Sequence, residues 1–198
     1  MTAGKHCVRC GECCRAGGPA LHLEDLELLR SGVVSSSSLI TFRAGELVLD
    51  QPAGGLAPLE SEIVKIRGSG VAWTCIYFDP DDSGCGIYHN RPAECRALKC
   101  WDTAELESMY ASGRISRADI LGPGAMGIVE EHEKRCPAGR AVELARAGGG
   151  MELDEMLRYD EVMRETLLAR GAEERELEFL LGRALGKVLK QALSVSGA

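Results

Sequence analysis

Apolar and polar positions come in short bursts over the first half of the chain and settle into a longer helical rhythm towards its end. Leu21, Leu28 and Leu29 fall near helical spacing and predict a short helix over 21–30, stopped by Gly32. The serine run 35–38 reads as a loop. Residues 40–43 and 46–50 read as short strands about an Ala44-Gly45 turn, Pro52, Gly54, Gly55 and Pro58 mark a loop, and 63–66 forms a further strand. The β-type run 71–78 enters the turn Asp79-Pro80-Asp81-Asp82-Ser83-Gly84 and leaves through Cys85-Gly86-Ile87-Tyr88, which predicts a hairpin. Asn90 is placed to cap a helix with Pro92 in its first turn. Asp102 with Glu105 has the pattern of a capping box for the next helix, whose inner side carries Leu106, Met109 and Tyr110.

Gly122, Pro123, Gly124 and Gly127 predict an interruption before Cys136-Pro137. From residue 141 the pattern is helical, broken at 148–150 and at Gly171. Leu177, Leu181, Ala184, Val188 and Ala192 form one stripe at helical spacing, and the Gly182/Gly186 pair reads as close packing of that helix. No internal repeat is present. The expected class is α+β: a small body of short strands and helices over 1–140, followed by a helical C-terminal extension over 141–198 packed on it.

Composition narrows the functions. Lys and Arg total 23 against 30 Asp and Glu, a net charge of −7, and aromatic residues are 5% of the 198. An acidic chain with few stacking rings is a poor match to nucleic acid or to an anionic membrane. No apolar run approaches the length of about 20 residues that spans a bilayer, and no apolar stretch follows Lys5, His6 and Arg9 as a secretory signal would require. The expectation is a cytoplasmic protein with no nucleic-acid or membrane partner. Nine cysteines are present. In a reducing compartment an odd-numbered cluster points to metal rather than to a disulfide framework.

Thiolate sulfur is a soft charged donor suited to zinc and to iron–sulfur clusters. Cys7, Cys10 and Cys13 form a CxxCxxC run, and Gly11 lets the chain turn tightly inside it. That run, with a remote cysteine followed by proline, is the ferredoxin arrangement; Cys136-Pro137 has the required local form. Cys14 adjoins Cys13, so the two serve different centres or bridge two. Cys75 and Cys85 flank the hairpin turn. Cys95 and Cys100 would lie about 140° apart on an ideal helix, so both reach one centre only if the helix ends before Cys100.

The run Cys7-Val8-Arg9-Cys10-Gly11-Glu12-Cys13-Cys14, followed by Cys75, Gly84-Cys85-Gly86-Ile87-Tyr88, Arg91-Pro92-Ala93-Glu94-Cys95-Arg96 and Cys100, resembles the CxxCxxCC cysteine-cluster family. That family is described as a zinc- or iron-chelating domain and includes flagellin lysine methylases. The resemblance covers roughly residues 5–102. It implies metal chelation by Cys7, Cys10, Cys13, Cys14, Cys75, Cys85, Cys95 and Cys100, leaves the metal open, and covers neither Cys136 nor the helical tail.

Other signals read more plainly. Asp79, Asp81, Ser83 and Gly84 mimic the start of a calcium loop, but its twelfth position is Asn90, so the segment reads as a turn. His6 and His89 stand near cysteines and could replace a thiolate, though surface histidines are commoner. Glu130, Glu131 and Glu133 around His132 read as a solvated face. Arg91 and Arg96 flank Cys95, either offsetting thiolate charge or forming surface salt bridges. Three functions compete. The first is an iron–sulfur protein, 4Fe-4S by the ferredoxin-like run, acting in electron transfer or as a cofactor-bearing accessory protein. The second is a structural zinc protein whose tail engages a protein partner. The third is a metal-dependent methyltransferase-like enzyme, implied only by the family. No GxGxxG loop follows a strand. The surplus of thiolates beyond the four that one zinc needs favours the iron–sulfur reading.

Overall fold

The computed structural model describes residues 7–50, 54–110 and 112–194. In chain order the elements are α1 (Glu12–Arg15), α2 (Leu26–Arg30), β1 (Leu39–Phe42), β2 (Leu47–Asp50), β3 (Gly55–Pro58), β4 (Ile63–Ile66), β5 (Gly68–Ser69), β6 (Thr74–Cys75), β7 (Phe78–Asp79) and β8 (Gly84–Cys85). There follow α3 (Ala93–Ala97), α4 (Ala104–Met109), α5 (Pro123–Arg135), α6 (Ala138–Arg146), α7 (Met151–Ala169), α8 (Glu174–Leu180) and α9 (Leu185–Ser194). The strands form two-stranded sheets, β1 with β4, β2 with β3, β5 with β6 and β7 with β8. The fold is α+β, with short sheets in the N-terminal half and a mainly helical C-terminal part. Two compact units divide the chain: one runs to Leu39 and resumes over Lys65–Ile115, the other comprises Ile40–Val64 and Ser116–Ala198. The expected body over 1–140 thus takes in the first unit and part of the second.

The first unit is thin in regular structure and is stitched by irregular backbone bonds. Ile115 N–H donates to the Leu21 carbonyl (3.0 Å), Ile66 N–H to Pro19 (2.9 Å) and Arg67 N–H to Ser38 (2.9 Å). Its buried apolar residues include Leu21, Val34, Ile66, Ala93, Ala97 and Ile115. The run 71–78 is not one strand. Residues 71–73 form a turn in which Trp73 has the left-handed φ of +56°, and 76–77 form a second turn, leaving β6 and β7 as two separate short strands. The expected hairpin across 79–84 is present as β7 and β8. Its turn is closed by Asp79 and Asp82, whose carboxylates accept the N–H of Asp81 (2.9 Å) and of Gly84 (2.6 Å). Those oxygens serve the backbone, as a plain turn requires.

The second unit is held by helices. Leu185, Val188, Leu189 and Ala192 of α9 repeat at helical spacing and share a buried cluster with Ala141 and Val142 of α6, Leu153 and Met156 of α7, Leu47 and Cys136. Burial of each such Leu or Val contributes about 1.5–3 kcal/mol. Several expectations are corrected here. Gly55–Pro58, read as loop, pairs as β3 with β2, from Leu47 opposite Pro58 to Asp50 opposite Gly55. A strand of a two-stranded sheet has one unpaired edge, which is where proline is tolerated. The glycines at 124 and 127 do not break the chain, because Pro123 starts α5 at its first turn, where its missing N–H is no loss. The stripe 177–192 is two helices. Gly182, at φ +73°, ends the first, and a β carbon there would lie 2.8 Å from Arg43 Cγ. Gly186 has no such neighbour, so the GxxxG pair is not a packing motif.

Candidate metal centre

The N-terminal run bends twice through left-handed backbone, at Arg9 (φ +55°) and Gly11 (φ +78°), before the single turn of α1. Gly11 is buried against the Phe78 ring. Arg15 donates from Nη1 to the Cys10 carbonyl (2.8 Å) and lies over the Phe78 ring at 4.8 Å from its centroid. Cys7, Cys10 and Cys13 are exposed and Cys14 half-buried. The turn that glycine was expected to permit is therefore present, and it is fixed to β7.

The other cysteines come from three further elements. Cys75 lies on β6 opposite Gly68, and Cys85 on β8 opposite Phe78. α3 carries Cys95 and ends at Ala97, with Leu98 extended, so Cys100 lies beyond the helix, in a turn closed by Asp102 N–H on the Lys99 carbonyl (2.9 Å). The helix ends where the spacing of Cys95 and Cys100 required. Its N-terminus is not capped by Asn90. The buried Asp25 carboxylate accepts the N–H of Ala93 and of His22, each at 2.9 Å, while Glu94 accepts the Ala20 N–H (2.8 Å) and faces His22 Nε2 (3.3 Å). These bonds pin the two residues that precede Cys95. Nor does Glu105 close a capping box; it pairs with Lys99.

A cavity of about 450 Å³ opens among these elements, lined by Cys7, Cys13, Cys14, Cys85, Cys95 and Cys100, with Arg9, His89 and Arg91 in its wall. Burial, reinforced by the neighbouring Cys13, Cys75 and Cys85 sulfurs, pushes the Cys14 thiol up to about 12. Burial likewise raises Cys95 and Cys75, and the other thiols add to it. A crowd of thiols resists ionising when bare, and a soft cation that binds sulfur reverses this. The donor set therefore fits a metal centre. Cys10 is on the exposed turn between Cys7 and Cys13, and Cys75 is buried and does not line the cavity, yet is close enough to be felt by Cys14 and Cys95. Of the two histidines near cysteines, His89 is in the cavity wall and His6 lies outside the described residues. Arg91 stacks over the Tyr88 ring at 3.9 Å, and Arg96 pairs with Glu24 at 2.8 Å. No local pattern signalled the parts played by Tyr88 and Asp25, whose partners Arg9 and Ala93 are 79 and 68 residues away.

Cys136 belongs to the second unit and is fully buried. Its thiol donates to the His132 carbonyl (3.2 Å), and burial pushes it up to about 11, so it is held as a thiol. His132, expected on a solvated face, is fully buried too: Nε2 bonds Asp160 Oδ1 (2.8 Å), and Arg43 Nη1 approaches Nδ1 (3.4 Å). Ligand atoms of His132, Cys136 and Asp160 lie within 4.8 Å of one another. Arg43 faces this imidazole, however, and Arg164 Nε lies 3.0 Å from the same Asp160 oxygen. Two guanidinium charges already balance the carboxylates there, and a divalent ion would be repelled. The cluster is a buried polar network of the helical unit.

No curated protein and no solved structure matches the chain. The sequence model of the CxxCxxCC family, described as "Putative zinc- or iron-chelating domain", matches residues 6–114. That stretch holds all eight cysteines other than Cys136, the cavity that six of them line and more than half of the chain, and this protein belongs to the CxxCxxCC family.

Proposed function

We propose that the thiol-lined cavity holds an iron–sulfur cluster of the 4Fe-4S type, and that the protein acts in electron transfer or as a cofactor-bearing accessory protein. The observation that carries this reading is the size of the cavity together with its lining, about 450 Å³ walled by six cysteines. One zinc ion bound at Zn–S of about 2.3 Å draws four sulfurs to about 3.8 Å from one another and needs no such space. When bound, the cluster would supply one-electron chemistry, its potential set by hydrogen bonds to sulfur, exposure and nearby charge. The chain's own contribution is a set of thiols on four short segments, fixed by Asp25, Glu94, Gly11 and Phe78, with Arg91 offsetting thiolate charge. Exposure of Cys7, Cys10 and Cys100 leaves one side of the site open to a protein partner.

The test is elemental analysis with acid-labile sulfide and visible absorption, on protein made with iron and purified without oxygen. Iron and sulfide in near-equal amounts with a brown chromophore support the reading. Colourless protein with stoichiometric zinc and no sulfide overturns it in favour of a zinc site.

A further inference from the structure

The Cys7–Cys10 turn is exposed, yet it holds Arg9 in left-handed backbone at φ +55°. A residue with a β carbon adopts that conformation only where surrounding contacts hold it. The contact here is Tyr88: the Arg9 guanidinium carbon lies 3.9 Å from the ring centroid. The Arg91 guanidinium lies at the same 3.9 Å. Both guanidiniums therefore share the one Tyr88 ring. Arg91 is also tied to its own turn, donating from Nε to the Tyr88 carbonyl (2.9 Å). One of the two contacts is therefore anchored on the segment between Cys85 and Cys95, and the other reaches the N-terminal turn. All three side chains stand in the wall of the cysteine cavity.

We propose that Tyr88, in contact with both Arg9 and Arg91, is a latch that closes the Cys7–Cys10 turn over the metal site and sets how fast bound metal leaves. This rests on the metal-centre reading. Tyr88 is a positioning residue: it acts through the turn that bears Cys7 and Cys10. Opening the latch frees Arg9 to leave its left-handed conformation, and the turn swings away with its two sulfurs. Metal content at saturation is unaffected, because all eight thiols remain.

The test is the rate at which loaded protein surrenders metal to an excess of a coloured chelator, together with metal content before the chase. A cation–π contact at an exposed site is worth about a two- to fivefold change. Arg9→Gln is expected to load as much metal as wild type and release it about two- to fivefold faster. Tyr88→Leu is expected to release at least as fast, and Tyr88→Phe, which keeps the ring faces, at the wild-type rate. Adding Arg9→Gln to Tyr88→Leu should accelerate release no further, since the contact is already gone. Wild-type release rates in Arg9→Gln and Tyr88→Leu, or accelerations that multiply in the double variant, overturn the latch. If Tyr88→Leu does not fold, Arg9→Gln alone decides: wild-type release refutes the latch. A wild-type protein that binds neither iron nor zinc removes the metal centre itself, an outcome distinct from unchanged release rates.

Discussion

Gly11 and Phe78 meet so closely that no side chain fits between them: a β carbon on Gly11 would come within 2.6 Å of Phe78 Cζ, and the residue sits at φ +78°. Phe78 in turn stands opposite Cys85 across its hairpin. The contact thus couples the turn that spaces Cys10 and Cys13 to the strand pair that presents Cys85. Gly11→Ala is expected to cost about 1–2 kcal/mol from the left-handed backbone alone, with a further loss from displacing the ring. Denaturant unfolding should show that loss and elemental analysis a reduced metal content. A variant as stable and as metal-rich as wild type would mean that the ring moves freely and that the contact positions nothing.

Metal should compete with protons at this site. Burial and neighbouring sulfurs raise Cys14 to about 12 and raise Cys75 and Cys95 as well. These groups are protonated at neutral pH, and each must lose its proton to bind. Apparent affinity is therefore expected to climb as pH rises from 6 to 9, with protons released on loading. Chelator competition at several pH values measures the slope. A flat profile would show that the raised thiols are not ligands.

The two kinds of cysteine should separate cleanly. Cys95→Ser removes a cavity thiol on a helix pinned by Asp25 and Glu94 and is expected to lower metal content sharply. Cys136→Ala is expected to keep full metal content while losing about 1–2 kcal/mol of stability, from the void left in the helical core and the lost bond to the His132 carbonyl. Metal loss in Cys136→Ala would restore it as a ligand.

Much of the metal site was legible in the sequence because its chemistry is local. CxxCxxC spacing, a glycine inside it and a turn-forming run between Cys75 and Cys85 each act over a few residues, and the end of α3 before Cys100 meets the condition that the spacing of Cys95 and Cys100 set for sharing one centre. The errors lie where distant residues decide. Gly55–Pro58 becomes a strand because Leu47–Asp50 is there to pair with it, despite its glycine and proline. The stripe 177–192 breaks because Gly182 has Arg43 against it, from 139 residues earlier in the chain. His132 looked solvated because three glutamates surround it in sequence, whereas on the helix it faces inward to Asp160 and Arg43. Cys136-Pro137 had the ferredoxin form, but a two-residue pattern holds no information on which unit buries it.

The same inward turn of His132 makes the helical unit acid-sensitive. Burial lowers the affinity of this imidazole for a second proton, and Arg43 adds to that; the bond to Asp160 opposes both without overcoming them. Asp160 stays ionised below its ordinary range: burial would raise it, but His132, Arg164 and the Leu185 N–H outweigh that. The folded pair is thus neutral imidazole donating from Nε2 to carboxylate. In the unfolded chain the histidine titrates near 6.5, so below that pH the unfolded state binds a proton that the folded state refuses. Stability is full above 6.5 and falls as pH drops beneath it, by at most about 1.4 kcal/mol per pH unit from this group. His132→Gln keeps a donor for Asp160 and removes the titration. Between pH 7 and pH 5, the wild-type stability should fall more steeply than that of the variant, and parallel slopes would show that His132 takes up its proton as readily folded as unfolded.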